Sequence, residues 1–231
     1  SGGGGALALR DGLDSCGESA SCNVTIPNIE THEAMNPILF LFRKQLADSG
    51  GPGKYRGGVG VEMMFMKYDT DRLDLTLASR GVDVPNSVGL FGGYPGSCNA
   101  AFLKKDSNIL IKFAQMDIPS SIDELEGEHV ILPACVPHLS INENDVFYYR
   151  WMGGGGYNDP IERDPELVLK DVIGRLVSNE SAENIYGVIL NLDKMQVNLV
   201  ETEKLRKIIK EKRTTARKDN LLFEPKTKIN H

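Results

Sequence analysis

Glycine placement constrains this chain more than any other feature. Of its 24 glycines, four stand in a row at 153–156, four more at 2–5, and six fall within ADSGGPGKYRGGVG at 47–60. A further run, LFGGYPGSCN at 90–99, mixes glycine with proline. Glycine weakens helix and strand interiors alike, so these stretches read as turns and shaped loops between regular elements. The run at 153–156 precedes a strong helix start, with Asp164 as N-cap and Pro165 at the first helical position. Glycines ahead of a helix N-terminus can cradle phosphate. Here the spacing opposes that use. No G-x-x-x-x-G-K-[ST] is present, and Asp159, Glu162 and Asp164 would repel an anion. Gly153, Gly154, Gly155 and Gly156, closed by Asp164, are therefore expected to form a structural turn. A side chain there would strike neighbouring backbone.

Hydrophobic patterning supplies the rest of the fold. Residues 38–42, ILFLF, read as a buried strand ended by Arg43 and Lys44. Apolar residues alternate over 59–66 and again over 73–78, with a turn at 69–71, which predicts a β-hairpin. Further strands are expected over 109–116, 130–132 and 146–151, the last rich in aromatics. Residues 1–37 read as irregular. Beyond the glycine run, Leu169, Val172, Ile173 and Leu176 form one helical stripe. Ser178 caps a second short helix, 188–190 reads as a short strand and 201–218 as a polar helix. The expected class is α+β, mainly antiparallel β with long glycine-rich loops, followed by a small helical C-terminal region. Three parts are expected: a β-rich domain at 1–152, a glycine-rich turn and helical closing segment at 153–200, and a basic helical tail at 201–231.

The net charge of -6 argues against a general nucleic-acid role, although 201–231 carries +5 and leaves -11 elsewhere. No apolar run is long enough to span a bilayer, and no secretory signal opens the chain, so a cytoplasmic location is expected. Cys16, Cys22, Cys98 and Cys135 contain no C-x-x-C pair, and reduced thiols are expected. Glu30, His32 and Glu33 could pair a base with a carboxylate, but H-E-x-x-H is absent and no metal site is expected on this chain. Lys54 and Arg56 among glycines could hold an anionic group, and Arg10, Asp11 and Asp14 form a charged turn. These eight residues are the candidates for lining a substrate site or an interface. No catalytic residue is assigned. The G-x-S-x-G hydrolase elbow is missing, and Ser1 as an N-terminal nucleophile would be badly positioned by the glycines after it.

RDGLDSCG, ADSGGPGKYRGGVG and GGGGYNDPIERDPELVLKDVIGRLVSNESAENIYGVIL together resemble the C-terminal part of the hydantoinase B/oxoprolinase family. That family includes the large subunits of acetone and acetophenone carboxylases. The resemblance runs from the N-terminus to about residue 190. It implies a multi-subunit, ATP-dependent enzyme. A hydantoinase A-type subunit, holding ATP and magnesium, would phosphorylate a small-molecule substrate. The B-type subunit would then complete either ketone carboxylation or hydrolysis of a cyclic amide such as N-methylhydantoin, 5-oxoproline or a lactam. The family's divalent-metal ligands lie in an N-terminal part absent from this sequence, so this chain holds no cofactor and is not expected to act alone. A non-catalytic assembly role is the remaining alternative.

Overall fold

The computed structural model describes residues 2–16, 26 and 28–221, with side chains to residue 215. Expectations placed on Ser1, Cys22 and 222–231 lie outside those residues. The chain divides into two compact units, Ser1–Glu162 and Arg163–His231. The division falls after the glycine run and not before it.

In the first unit, α1 (Ile29–Met35) precedes strand β1 (Ile38–Gln45), then β2 (Val61–Lys67), β3 (Leu73–Ala78) and β4 (Ala100–Lys105). Helix α2 (Ile109–Ala114), β5 (Glu128–Leu132), β6 (Cys135–Ile141) and β7 (Val146–Arg150) follow. Five strands form an antiparallel sheet in the order β1-β2-β7-β4-β5, while β3 pairs with β6 in a separate ribbon. One face of the sheet packs Phe65, Leu103, Phe147 and Tyr149 against Leu77, Leu139 and Ile141 of the ribbon. The other face packs Met64, Met66, Val146 and Tyr148 against Ile109, Ile122 and Leu125. The mainly antiparallel α+β class is as expected, in three layers sharing one central sheet.

Local expectations fail where pattern alone could not name a partner. β2 and β3 do not form a hairpin. β2 is apolar on both faces and occupies a doubly covered central position, whereas β3 exposes Asp74 and Thr76 and belongs to the outer ribbon. β1 continues through Arg43 and Lys44 to Gln45, because its polar end still pairs with Glu62 and Val61. The expected strand at 109–116 is helix α2. Ile109 and Phe113, four apart, point together into the core, and Met116 leaves the helix at a φ of 56°. α1 lies in a region read as irregular. Asn28 caps it through Thr31 N, it buries no residue, and Glu33 Oε1 ties it to β1 by accepting from Phe40 N at 2.8 Å. β6 tolerates Pro137 because it pairs on one side only.

In the second unit, Asp164 caps α3 (Pro165–Ile173) by accepting from Glu166 N at 3.0 Å, and Ser178 caps α4 (Asn179–Asn184). A two-residue hairpin, β8 (Leu190–Asn191) with β9 (Gln196–Val197), precedes α5 (Leu199–Leu221). Val168, Val177, Ala182, Tyr186 and Val188 make the core. Inside it, Arg163 is 1% exposed and donates to Asp171 at 2.7 Å. α5 is fastened to this core and is not a detached tail. Ile189 N donates to the buried Thr202 hydroxyl at 3.0 Å, and Arg206 donates to the carbonyls of Tyr186 and Arg163.

Candidate functional site

The glycine run does not turn. Residues 152–157 form an extended segment whose hydrogen bonds repeat every third residue. Gly153 N donates to Ser97 Oγ and Gly156 N to Tyr94 O, both on the same neighbour. Gly154 N donates to Gly58 O and Tyr157 N to Tyr55 O, on a second neighbour. Met152 O accepts from Gly3 N and Gly155 O from Ala6 N, on a third. Gly155 N donates to Ser87 Oγ, and Gly154 O accepts from Gly51 N. A β-strand would alternate between two directions. A period of three is that of a polyproline-II helix, which has three residues per turn and bonds outward only.

Segment 152–157 is thus the axis of a bundle, ringed by 2–6, 49–53, 55–60, 87–90 and 93–97. A side chain at any of the four central positions would overlap backbone: at Gly153 the Ser49 carbonyl, at Gly154 the Gly4 carbonyl, at Gly155 that of Val88, at Gly156 that of Pro52. None of the four has a positive φ, so glycine is required by close approach and not by conformation. The four N–H groups are all engaged within the bundle, which removes the phosphate cradle considered from sequence. Serine and asparagine side chains complete it: Ser49 accepts from Gly60 N at 2.9 Å and Asn99 from Met152 N at 2.7 Å. Sequence reasoning did not single out Ser49, Ser87, Ser97 or Asn99, because small polar residues in Gly/Pro-rich stretches are indistinguishable from turn formers.

Three of the charged candidates converge on this bundle. Arg56 is 3% exposed, and its guanidinium donates to both Asp14 carboxylate oxygens, at 2.9 and 3.4 Å, and to Gly57 O at 2.6 Å. Asp14 also accepts from Val59 N, and Asp11 accepts from Arg56 N at 2.7 Å. The trio ties 11–14 to 56–59 beside the axis, and a bidentate charge-assisted pair of this kind fixes geometry as well as adding stability. Lys54 lies with its ammonium 5.9 Å from the Tyr55 ring. Arg10 is exposed, with its carbonyl accepting from Leu7 N. Glu30, His32 and Glu33 sit instead on α1, and the contacts of His32 and Glu33 run to Phe40 of β1.

A second polar cluster was not anticipated. The Tyr148 hydroxyl donates to Glu62 at 2.6 Å, and Lys44 lies 3.5 Å from the same carboxylate. Burial, reinforced by Glu62, pushes the Tyr148 pKa well above the ordinary tyrosine value. Among the described residues no three His, Cys, Asp or Glu side chains converge as metal ligands. A shallow concavity of about 340 Å³, lined by Ile189, Leu192 and Asn198, lies wholly in the second unit. No helix among the described residues is long and apolar enough to cross a membrane.

An antiparallel sheet bearing a glycine bundle with an Arg–Asp clamp is a scaffold held by backbone contacts. The hydantoinase B/oxoprolinase family model matches residues 1–160, and the chain belongs to that family. It is 28% identical over 200 residues to the acetone carboxylase alpha subunit of Xanthobacter autotrophicus, covering 80% of this chain and 26% of that one. It is 30% identical to the caprolactamase subunit beta of Pseudomonas jessenii, covering 82% of this chain and 30% of that one. The nucleotide-free structure of acetone carboxylase superposes with a TM-score of 0.82 and 26% identity, over 93% of this chain and 30% of that chain. The chain thus spans less than a third of the length of these relatives, matching their C-terminal part.

Proposed function

We propose that this chain is the C-terminal portion of a hydantoinase B-type subunit, working in a multi-subunit, ATP-dependent enzyme whose reaction is ketone carboxylation. The carrying observation is the agreement of sequence and backbone with acetone carboxylase across nearly the whole chain, while that protein is more than three times as long. In this reading an A-type partner binds ATP with magnesium and phosphorylates the substrate, and the N-terminal part of the B-type subunit holds the divalent metal. The chain described here supplies a rigid wall. Its glycine bundle and Arg56 clamp hold the surrounding loops in fixed register, and positioning of that kind lowers the entropic cost of bringing reactants together.

Thirty per cent identity to a caprolactamase subunit favours a second reading, hydrolysis of a cyclic amide. The assembled complex, given ATP with either acetone and bicarbonate or a lactam, separates the two. The expected product is acetoacetate. Ring-opened amino acid without any carboxylated ketone would refute carboxylation, and turnover by this chain alone would refute the subunit reading.

A further inference from the structure

The outer face of the glycine bundle carries an apolar rim that the first unit leaves uncovered. Leu7 and Leu9 are 50% and 86% exposed, Val88 and Leu90 are 68% and 52%, and Phe91 is 76%. The two stretches are neighbours. Gly155 O accepts from Ala6 N while Gly155 N donates to Ser87 Oγ, so Leu7 and Val88 each follow a residue bonded to the same glycine. No charged residue occurs from 84 to 99. Exposed apolar residues on two bonded neighbouring stretches, flanked by the exposed Arg10, mark an interaction site.

Phe91 is the sharpest part of it. Gly93 N donates to Leu90 O at 3.0 Å, closing a turn in which Phe91 has a φ of 52° and Gly92 a φ of 95°. Those angles define a type I′ turn, which favours Asn, Asp or Gly at its first central position. A phenylalanine there is held in a left-handed conformation with most of its ring in solvent. Its one aromatic neighbour among the described residues is Tyr157, at 5.2 Å between ring centres. A bulky residue kept in a disfavoured backbone state at a loop tip suggests a use outside the fold.

We propose that this rim, with Phe91 as its anchoring ring, is the surface on which the N-terminal two-thirds of the hydantoinase B-type subunit packs. Relatives carry this region as the C-terminal part of one longer polypeptide, so the remainder of that polypeptide is the occupant this rim would meet. An aromatic side chain entering a pocket of that partner would dominate the contact. The inference rests on the subunit reading above.

The test places photoreactive p-benzoylphenylalanine at position 91 of the full chain, produced within its complex, with the exposed Arg72 position as control. The expected result is a cross-link from position 91 to a hydantoinase B-type sequence outside the region matched here. A cross-link to an ATP-binding subunit or to a second copy of this chain would overturn the proposal, as would labelling no stronger than from position 72. Should the hydantoinase B-type remainder co-purify without being labelled, the surface is wrong and the subunit reading stands. Should no such polypeptide co-purify, both fail. Phe91→Gly suits the left-handed backbone better, so the thermal midpoint of the chain should not fall while its affinity for the remainder drops about tenfold or more. Unchanged affinity would equally overturn the proposal.

Discussion

Gly154→Ala isolates the claim that close approach, and not conformation, dictates the glycine bundle. Gly154 has no positive φ, so alanine is conformationally welcome and would even lower the entropy of the unfolded chain. Its methyl group would collide with the Gly4 carbonyl and the adjoining peptide, which are backbone and cannot rotate away. Relief requires separating segments 2–6 and 152–157. Three bonds are strained by that movement: Gly3 N to Met152 O, Ala6 N to Gly155 O, and Gly58 N to Gly4 O. At about 1 kcal/mol each they account for roughly 3 kcal/mol. Overpacking adds about 1–3 kcal/mol. A loss of about 4–6 kcal/mol is a large share of the roughly 5–15 kcal/mol by which a domain is stable. Gly5→Ala is the matched control. An added methyl there meets only Gly155 O, at 4.0 Å, and the expected change is within about 0.5 kcal/mol. Urea unfolding of both variants gives the answer. If Gly154→Ala unfolds within about 1 kcal/mol of Gly5→Ala, the bundle is not close-packed through its axis and the reasoning fails.

Three further outcomes follow from the cores and caps. Asp164→Ala removes the acceptor for Glu166 N and should cost about 1 kcal/mol in thermal or chemical unfolding, with no change expected in the first unit. Asp171→Asn removes the carboxylate charge to which the buried Arg163 guanidinium donates at 2.7 Å and should cost about 3–5 kcal/mol, measured the same way; a change near zero would show the pair to be dispensable. The raised Tyr148 pKa means the folded state holds that proton more tightly than the unfolded state does. The associated stability is therefore complete below pH 10, the ordinary value, and is lost as pH climbs beyond it. Titration of tyrosinate absorbance should show Tyr148 silent until the chain unfolds, and Tyr148→Phe should flatten the alkaline decline. Reversible ionisation of Tyr148 near pH 10 in the native chain would contradict this.

What the sequence revealed tracked how locally each signal is encoded. Asp164-Pro165 and Ser178 marked two helix starts correctly, because capping is a contact between residues two or three apart. β1 and β7 were visible as dense apolar runs. The hairpin expected from 59–78 failed because alternation says which face is buried and not which strand lies alongside. At 109–114 β-branched residues favoured a strand, and only the inward pairing of Ile109 with Phe113 decided for helix. The clamp was partly legible: Asp11, Asp14 and Arg56 were singled out, but the separation of 42 positions from Asp14 to Arg56 concealed that they meet. The bundle itself left no pattern to read. Its repeat of three is carried by residues with no side chain, so no hydropathy rises or falls along it.

The same construction disguises the molecule from optical spectroscopy. Polyproline-II is a major conformation of unfolded chains. A far-ultraviolet circular dichroism spectrum would therefore book the most tightly packed backbone of the first unit as disorder. Amide exchange would report the opposite, since the central N–H groups at 153–156 are all bonded in the interior.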